Sequence, residues 1–399
     1  MKILVVCQHF YPENFRINDE CFELVKRGHD VTVLTGLPNY PEGKVLDEYK
    51  HGRKREQIVN GVKIRRCFLV GRGQNILCMA LNYLCFAIMG CLKAASLKEK
   101  YDVVYAYQLS PITMVWPGIT VKRKQHVPLV IHCLDQWPIS VSTGPVSKSS
   151  IIYKLLHKIS VWTYKKADTI TISSKSFKDY FEETLNISAG EKGLIYLPSY
   201  AESTYKNVGI EKNDSFDIVF AGNIGPAQNC ETIVECANCL KGERTIKFHM
   251  VGDGLNYQNC IELANKYGLD NVRFYGYHPI DKMPDFYKMA DCFIITMQDN
   301  EVVNSTLPAK IQSYMLAGKP IFGAISGEVK QVVNEAACGI CVESGDYKAL
   351  ANAIANNYKD DTKLSKWGAN GLKYYEAHFE KEKCLDDREA VFRLTINER

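Results

Sequence analysis

Charge of one sign is scarce in this sequence. Its 49 lysines and arginines stand against 45 aspartates and glutamates, a net charge of +4 over 399 residues. So balanced a chain has no basic field to grip a nucleic-acid backbone, and a nucleic-acid partner is not expected. Low-complexity tracts are also lacking. With 46% hydrophobic residues, disorder and fibrous repeats are excluded. No leader is expected at the start, where Lys2 precedes a short strand-like run and then polar Gln8 and His9. Long apolar runs are missing, with one exception at residues 76–92. Cysteine, by contrast, is plentiful. The 15 cysteines are odd in number, and Cys7, Cys85, Cys133 and Cys292 lie inside apolar runs. That is the setting of buried thiols in a reducing cytoplasm. Cys236/Cys239 and Cys338/Cys341 have C-x-x-C spacing. The first pair falls in an apolar-periodic helix and the second flanks a strand entry, so no metal is expected.

A chain of this length exceeds one ordinary core, and two domains are expected. Short apolar runs at 3–7, 31–35, 62–68, 103–107, 129–132, 169–173 and 193–197 read as strands. Helical patterns and polar loops separate them, as in a parallel β-α-β sheet. The polar segment 199–215 reads as a linker. The pattern then restarts, with strands at 217–221, 246–251, 272–275, 292–296, 320–324 and 339–342. The fold class is α/β, with two Rossmann-like parallel-sheet domains over 1–198 and 216–375. The tail, 376–399, is expected to form a helix that packs back toward the first domain. Ligands of such sheets bind beyond the carboxyl ends of the strands, so a site in the cleft where the two domains face each other is expected.

Gly222, Asn223, Gly225 and Gln228 lie between a strand and a helix. Glycines there let backbone N–H groups approach a phosphate. The spacing is neither G-x-G-x-x-G nor a Walker loop, so a dinucleotide site is poorly supported. Gly252-Asp253-Gly254 recurs one unit later, as a second pocket wall or as a tight turn. Lys310 lies in the first turn of a helix after a polar loop, where the helix field alone disfavours a cation. A bound phosphate would offset this, and Lys310 is a candidate diphosphate ligand. Ser305 and Thr306 can donate hydroxyls beside it. In the first domain His9 and Glu13 lie just beyond strand one, and His132 and Asp135 beyond another. Asp135 is the leading candidate to bind an acceptor hydroxyl or take its proton. His132 reads equally as a hydrogen-bonded core histidine.

Residues 76–92 are interrupted only by Asn82 and flanked by Arg72 and Lys93. Three readings stand: a transmembrane span at the short limit of length, a buried helix, or an interfacial helix touching a bilayer. The last is preferred. Residues 151–166 add a basic amphipathic pattern with Lys154, Lys158, Lys165 and Lys166.

The residues also resemble a known family. Gln8-His9-Phe10-Tyr11-Pro12-Glu13-Asn14-Phe15-Arg16, Pro38-Asn39-Tyr40-Pro41, Asp135-Gln136-Trp137-Pro138, Val251-Gly252-Asp253-Gly254 and Met315-Leu316-Ala317-Gly318-Lys319-Pro320 follow in order. This ordered set resembles the bacterial family 4 glycosyltransferases of GT-B fold. The subgroup looks like the N-acetyl-L-fucosamine transferases of O-antigen and capsule assembly. The resemblance implies a UDP-sugar donor on the second domain and a polyprenyl-diphosphate-linked acceptor on the first. It also implies transfer with retention, no metal or other cofactor, and a peripheral position on the inner face of the cell membrane. Asp135 would stand near the acceptor and reacting carbon. Backbone near Tyr277 would read the base, and residues 300–306 would contact the sugar. Two features depart from the family. Its pair of glutamates falls on Ser305 and Ser313, with Glu301 a possible substitute. Its arginine and lysine after the first strand of the second domain are replaced by Asn223 and Gln228. Diphosphate neutralisation would then rest on Lys310, with Arg16 or Lys319 as further cations. A UDP-sugar 2-epimerase and a non-catalytic nucleotide-sugar-binding protein are the alternatives.

Overall fold

Ile3, Leu4, Val5 and Val6 are consecutive, apolar and fully buried. A strand apolar on both sides belongs in a sheet covered on both faces, which is the parallel kind. The structure, a computed structural model, describes residues 1–144, 146–188, 193–206, 208–209, 211 and 213–398. The chain divides into two units, 1–197 with 385–399, and 198–384.

The first unit holds β1 (Lys2–Val6), β2 (Asp30–Thr35), β3 (Glu56–Val59), β4 (Val62–Arg66), β5 (Val103–Gln108), β6 (Leu129–Cys133), β7 (Thr169–Ile172) and β8 (Ile195–Tyr196). Their order in the sheet is β3-β4-β2-β1-β5-β6-β7-β8. All neighbours pair in parallel except β3 with β4. That hairpin turns through Asn60 and Gly61, both with positive φ (47° and 82°). Such a two-residue turn matches the twist of the strands it joins. The sequence reading foresaw β4 but not β3, an edge strand whose residues alternate between exposed and half-buried.

The last helix, Lys381–Asn397, passes from one unit to the other, and its residues from 385 onward belong to the first. Leu385, Arg388, Val391 and Phe392 are buried there. The Arg388 guanidinium stands 3.0 Å from the Glu20 carboxylate and donates to the Tyr105 hydroxyl. Thr395 meets Thr169 at 2.8 Å.

The second unit holds β9 (Phe216–Ala221), β10 (Ile246–Val251), β11 (Val272–Gly276), β12 (Cys292–Thr296), β13 (Ile321–Ala324) and β14 (Gly339–Val342). All pair in parallel, in the order β11-β10-β9-β12-β13-β14. Numbered from its own first strand this is 3-2-1-4-5-6, the order of dinucleotide-binding sheets. One face is packed by Val219, Phe293, Tyr314 and Tyr375, with Phe293 stacked on Tyr314 at 4.0 Å. The other is packed by Phe220, Phe248, Ile294 and Leu350. Chain direction across the sheet reverses between β9 and β12. The loops leaving those two strands therefore open a crevice at their carboxyl ends.

Candidate active site

In the second unit the turns after β9 and β10 pack backbone to backbone. A Cβ on Gly252 would lie 1.8 Å from the Gly222 carbonyl oxygen, so only glycine fits there. Gly222 itself has φ +142°, a conformation other residues avoid. Asn223 Nδ2 donates to Gln228 Oε1 at 3.0 Å, and the same oxygen accepts from the Gly225 amide at 3.2 Å. The Gly222 amide donates to Val251 O and that of Ile224 to Asp253 O. Three amides of this loop are thus used to hold its own shape. Thr296 Oγ1 donates to Gln228 O at 2.7 Å and ties the end of β12 to the same loop.

The positive charge here comes from Lys310, the first residue of the helix Lys310–Leu316. Its ammonium is 3.3 Å from where a Gly222 Cβ would stand and 4.2 Å from the Phe220 ring centre. It is buried and has no hydrogen-bond partner among the described residues. Burial lowers its pKa to about 8. An ammonium held away from water without a partner costs several kcal/mol. A phosphate oxygen is the partner this position lacks.

The neighbouring candidates divide. Asp253 is exposed and accepts from the Gly254 amide. Tyr277, just beyond β11, is exposed. Ser305 and Thr306 both donate to Val302 O, at 3.0 and 2.7 Å. Ser313 is buried, with its hydroxyl 3.4 Å from Ala309 O and 3.5 Å from a Glu202 carboxylate oxygen. Glu202 is a residue that sequence reasoning missed. It lies beside Ser313, one of the two positions where the resemblance expects an acid, from 111 residues away in the chain. Lys319 does not face solvent or a phosphate. It is buried and donates to Ala290 O at 2.7 Å.

In the first unit Glu13 is buried and organises a loop. Its Oε1 accepts from the amides of Asn39 and Tyr40, each at 2.7 Å, and its Oε2 lies 3.1 Å from His9 Nδ1. His9 stacks on Phe15 at 5.1 Å. Arg16 heads the helix Arg16–Lys26, in the electrostatic field of Glu20 and Tyr107. Asp135 follows β6. Its carboxylate accepts from Ser110 Oγ, which in turn accepts from Trp137 Nε1 at 2.8 Å. Burial raises the Asp135 pKa above the usual carboxylate value, while donation from Ser110 lowers it. A carboxyl so poised can take a proton from a bound hydroxyl.

The structure moves His132 out of the site. It is buried in the core, 2.9 Å from Thr171 Oγ1 and packed against Tyr105 and Tyr107. Burial, then the Arg388 charge, holds its pKa well below the usual histidine range. It is a neutral core histidine. Ser110, which sequence reasoning missed, takes its place beside Asp135, and Tyr83, also missed, lies in the electrostatic field of that carboxylate. Neither carries a local signal, since Ser110 follows β5 and Tyr83 lies within an apolar run.

That run forms the helix Ile76–Ser96, the one helix among the described residues long and apolar enough to cross a membrane. It packs against the helix Trp116–Gln125, with Gly90 closely apposed to Pro117. Asn82 is its fully buried polar residue. It accepts from Gln8 Nε2 and donates to Val70 O, each at 2.6 Å. Leu77, Leu81, Leu84, Ile88 and Leu92 form an exposed stripe, Leu77 at 77%. The helix Ile151–Tyr164 also exposes Ile151, Ile152, Leu155 and Trp162. Arg123 and Lys166 lie over the Trp162 ring.

Comparison with known proteins accords with this arrangement. The family described as glycosyl transferases group 1 matches residues 202–374, and the glycosyl transferase 4-like domain matches residues 15–192. The chain belongs to the glycosyltransferases of GT-B fold, and it is an enzyme of that class. A protein named for colanic acid biosynthesis, the glycosyl transferase WcaI of Escherichia coli, is 24% identical over 411 residues, covering 96% of this chain and 98% of the relative. A sucrose-phosphate synthase from Thermosynechococcus elongatus superposes with a TM-score of 0.79 at 14% identity, with 100% of both chains covered. HepE of Anabaena in complex with UDP gives 0.71 at 17% identity, covering 98% of this chain and 100% of that one. At these identities the two solved structures share the fold.

Proposed function

We propose that the protein transfers a sugar, with retention, from a UDP-sugar to a polyprenyl-diphosphate-linked saccharide. The donor sugar is N-acetyl-L-fucosamine, and the product enters O-antigen or capsule. The observation that carries the donor half is the buried, unpartnered Lys310 ammonium at the crevice between β9 and β12. A diphosphate there would supply its missing hydrogen bonds, while Ser305, Thr306 and the Ser313–Glu202 pair receive sugar and ribose hydroxyls. The HepE structures with UDP and with UDP-glucose give the same chemistry for a protein of this fold. Asp135 binds the acceptor hydroxyl in the first unit. The exposed stripes of the helices Ile76–Ser96 and Ile151–Tyr164, with the lysines of the second, support a peripheral place on an anionic membrane face. The surface-polysaccharide role in the name of WcaI points the same way.

The test is to incubate the full-length protein with a panel of UDP-sugars and a lipid-linked acceptor mimic. Transfer from UDP-N-acetyl-L-fucosamine is the expected result. Interconversion of the donor without acceptor, or binding without turnover, would overturn the reading.

A further inference from the structure

Arg72 precedes the helix Ile76–Ser96 and is half-buried. Among the described residues no carboxylate pairs with it. Three arginines of the same unit are claimed by acids, Arg27 by Asp386 and Glu389, Arg65 by Glu56 and Glu99, and Arg388 by Glu20, while Arg66 is held by Gln57 and two carbonyl oxygens. Arg72 Nη2 instead points at the Met79 sulfur, 3.4 Å away and a weak acceptor. The Tyr83 phenol lies in the electrostatic field of the guanidinium, whose carbon is 5.7 Å from the Tyr40 ring centre. Its backbone is pinned, since the Arg72 amide donates to Asn39 Oδ1 at 3.0 Å. Asn39 belongs to the loop that Glu13 organises. Tyr83 also lies in the electrostatic field of Asp135. Arg72, Tyr83 and Asp135 are therefore one neighbourhood, and the exposed stripe beginning at Leu77 starts beside it.

We infer that Arg72 binds a phosphate group of the acceptor. This rests on the phosphate-bearing lipid acceptor of the proposed function and assigns it a residue. A guanidinium fork matches phosphate oxygens bidentately, and flanking rings strengthen the contact by excluding water. The order of features fits such a molecule: an apolar stripe for the chain, Arg72 for the phosphate, Asp135 for the sugar hydroxyl. Arg72 forms no bond in the reaction. It is a binding and positioning residue.

The experiment measures binding of farnesyl diphosphate, farnesol and inorganic pyrophosphate to the full-length protein by calorimetry, with excess UDP filling the donor side. The wild type is expected to bind farnesyl diphosphate at least about tenfold more tightly than farnesol, the worth of one charge-assisted pair. Arg72→Gln should abolish that preference and leave farnesol unchanged, and Arg72→Lys should keep part of it. A preference that survives Arg72→Gln overturns the inference and leaves the acceptor reading standing. A wild type that binds neither isoprenyl ligand overturns both. Pyrophosphate binding as tight as farnesyl diphosphate would make this a site for free phosphates, and the lipid assignment would fall. UDP affinity of Arg72→Gln serves as the folding control. Should it be lost, Arg72→Lys together with Tyr83→Phe carries the same comparison.

Discussion

The buried arginines of the first unit and Lys310 of the second are held in opposite ways. In the first, Arg388 is buried against Glu20 and Tyr105, and Arg66 is buried among Gln57 Oε1, two carbonyl oxygens and the Tyr49 ring. In the second, Lys319 has Ala290 O, but Lys310 has only the face of Phe220. A cation satisfied by its own chain serves the fold. One held ready without a partner opposes folding and is explained by a ligand.

The largest effect tests the first half of that contrast. Arg388→Ala leaves the Glu20 carboxyl buried without its ion-pair partner. Burial already raises the Glu20 pKa, and Arg388 is the main influence lowering it. Removing one member of such a pair costs about 3–5 kcal/mol. Urea denaturation should show a loss of that size, with UDP affinity of the folded protein unchanged. A loss under about 1 kcal/mol would mean that the pair does not hold the C-terminal helix in place.

Lys310→Met should act with the opposite sign. The unliganded protein is expected to be at least as stable as wild type, because an unpaired buried ammonium is gone. UDP affinity should fall by about 10- to 100-fold, the worth of hydrogen bonds to a charged group. The pH dependence follows. The folded pKa of about 8 lies below the ordinary lysine value, so between the two the unfolded chain holds more protons. Stability from this group therefore increases with pH across that window and is lost as pH falls through about 8. A bound diphosphate keeps the proton on Lys310. UDP binding should then take up a proton above pH 8 and weaken by up to about tenfold per pH unit. Calorimetry in two buffers counts that proton. An affinity independent of pH in the wild type, or a destabilised Lys310→Met, would erase the contrast with Arg388.

Much of this was legible before the structure, for a physical reason. Parallel strands buried on both faces leave runs such as Ile3–Val6 and Cys292–Thr296 that read as strands without help from neighbours. The edge strand β3 is polar and half-exposed, so its apolar signal is weak. The Asn60-Gly61 turn was its best local mark. Lys310 was legible as a cation misplaced in a first helical turn. That it is buried without a partner depends on Phe220 and Gly222, 90 and 88 residues earlier in the chain. Asn82 was visible as the one interruption of an apolar run, but its bond to Gln8 was not. Position near a strand end left His132 ambiguous, since β6 is buried on both faces while the loop just beyond it carries Asp135. Arg72 was visible only as a flank, and Glu202 lay in the segment read as a linker. Their partners are remote in sequence, and no local pattern encodes them.

Asp135 stands between the two extremes, and it carries the smallest expected effect. Its carboxyl is buried like Lys310, yet it accepts from Ser110. Burial favours the neutral acid, and the Ser110 hydroxyl favours the ionised form. A base must be ionised to act, so activity falls as pH drops through the Asp135 pKa. Ser110→Ala removes a donor, raises that pKa further and should move the acid limb of kcat/KM to higher pH by about one unit. The plateau at high pH should change little. The stability sign is fixed by the same shift. A carboxyl with a folded pKa above its unfolded value contributes stability at low pH, and that contribution is lost as pH rises through the folded value. Ser110→Ala should therefore be least destabilising in acid. An acid limb that does not move would mean that Asp135 does not titrate in turnover, leaving it a hydroxyl-binding group of the satisfied kind, like the buried arginines of its own unit.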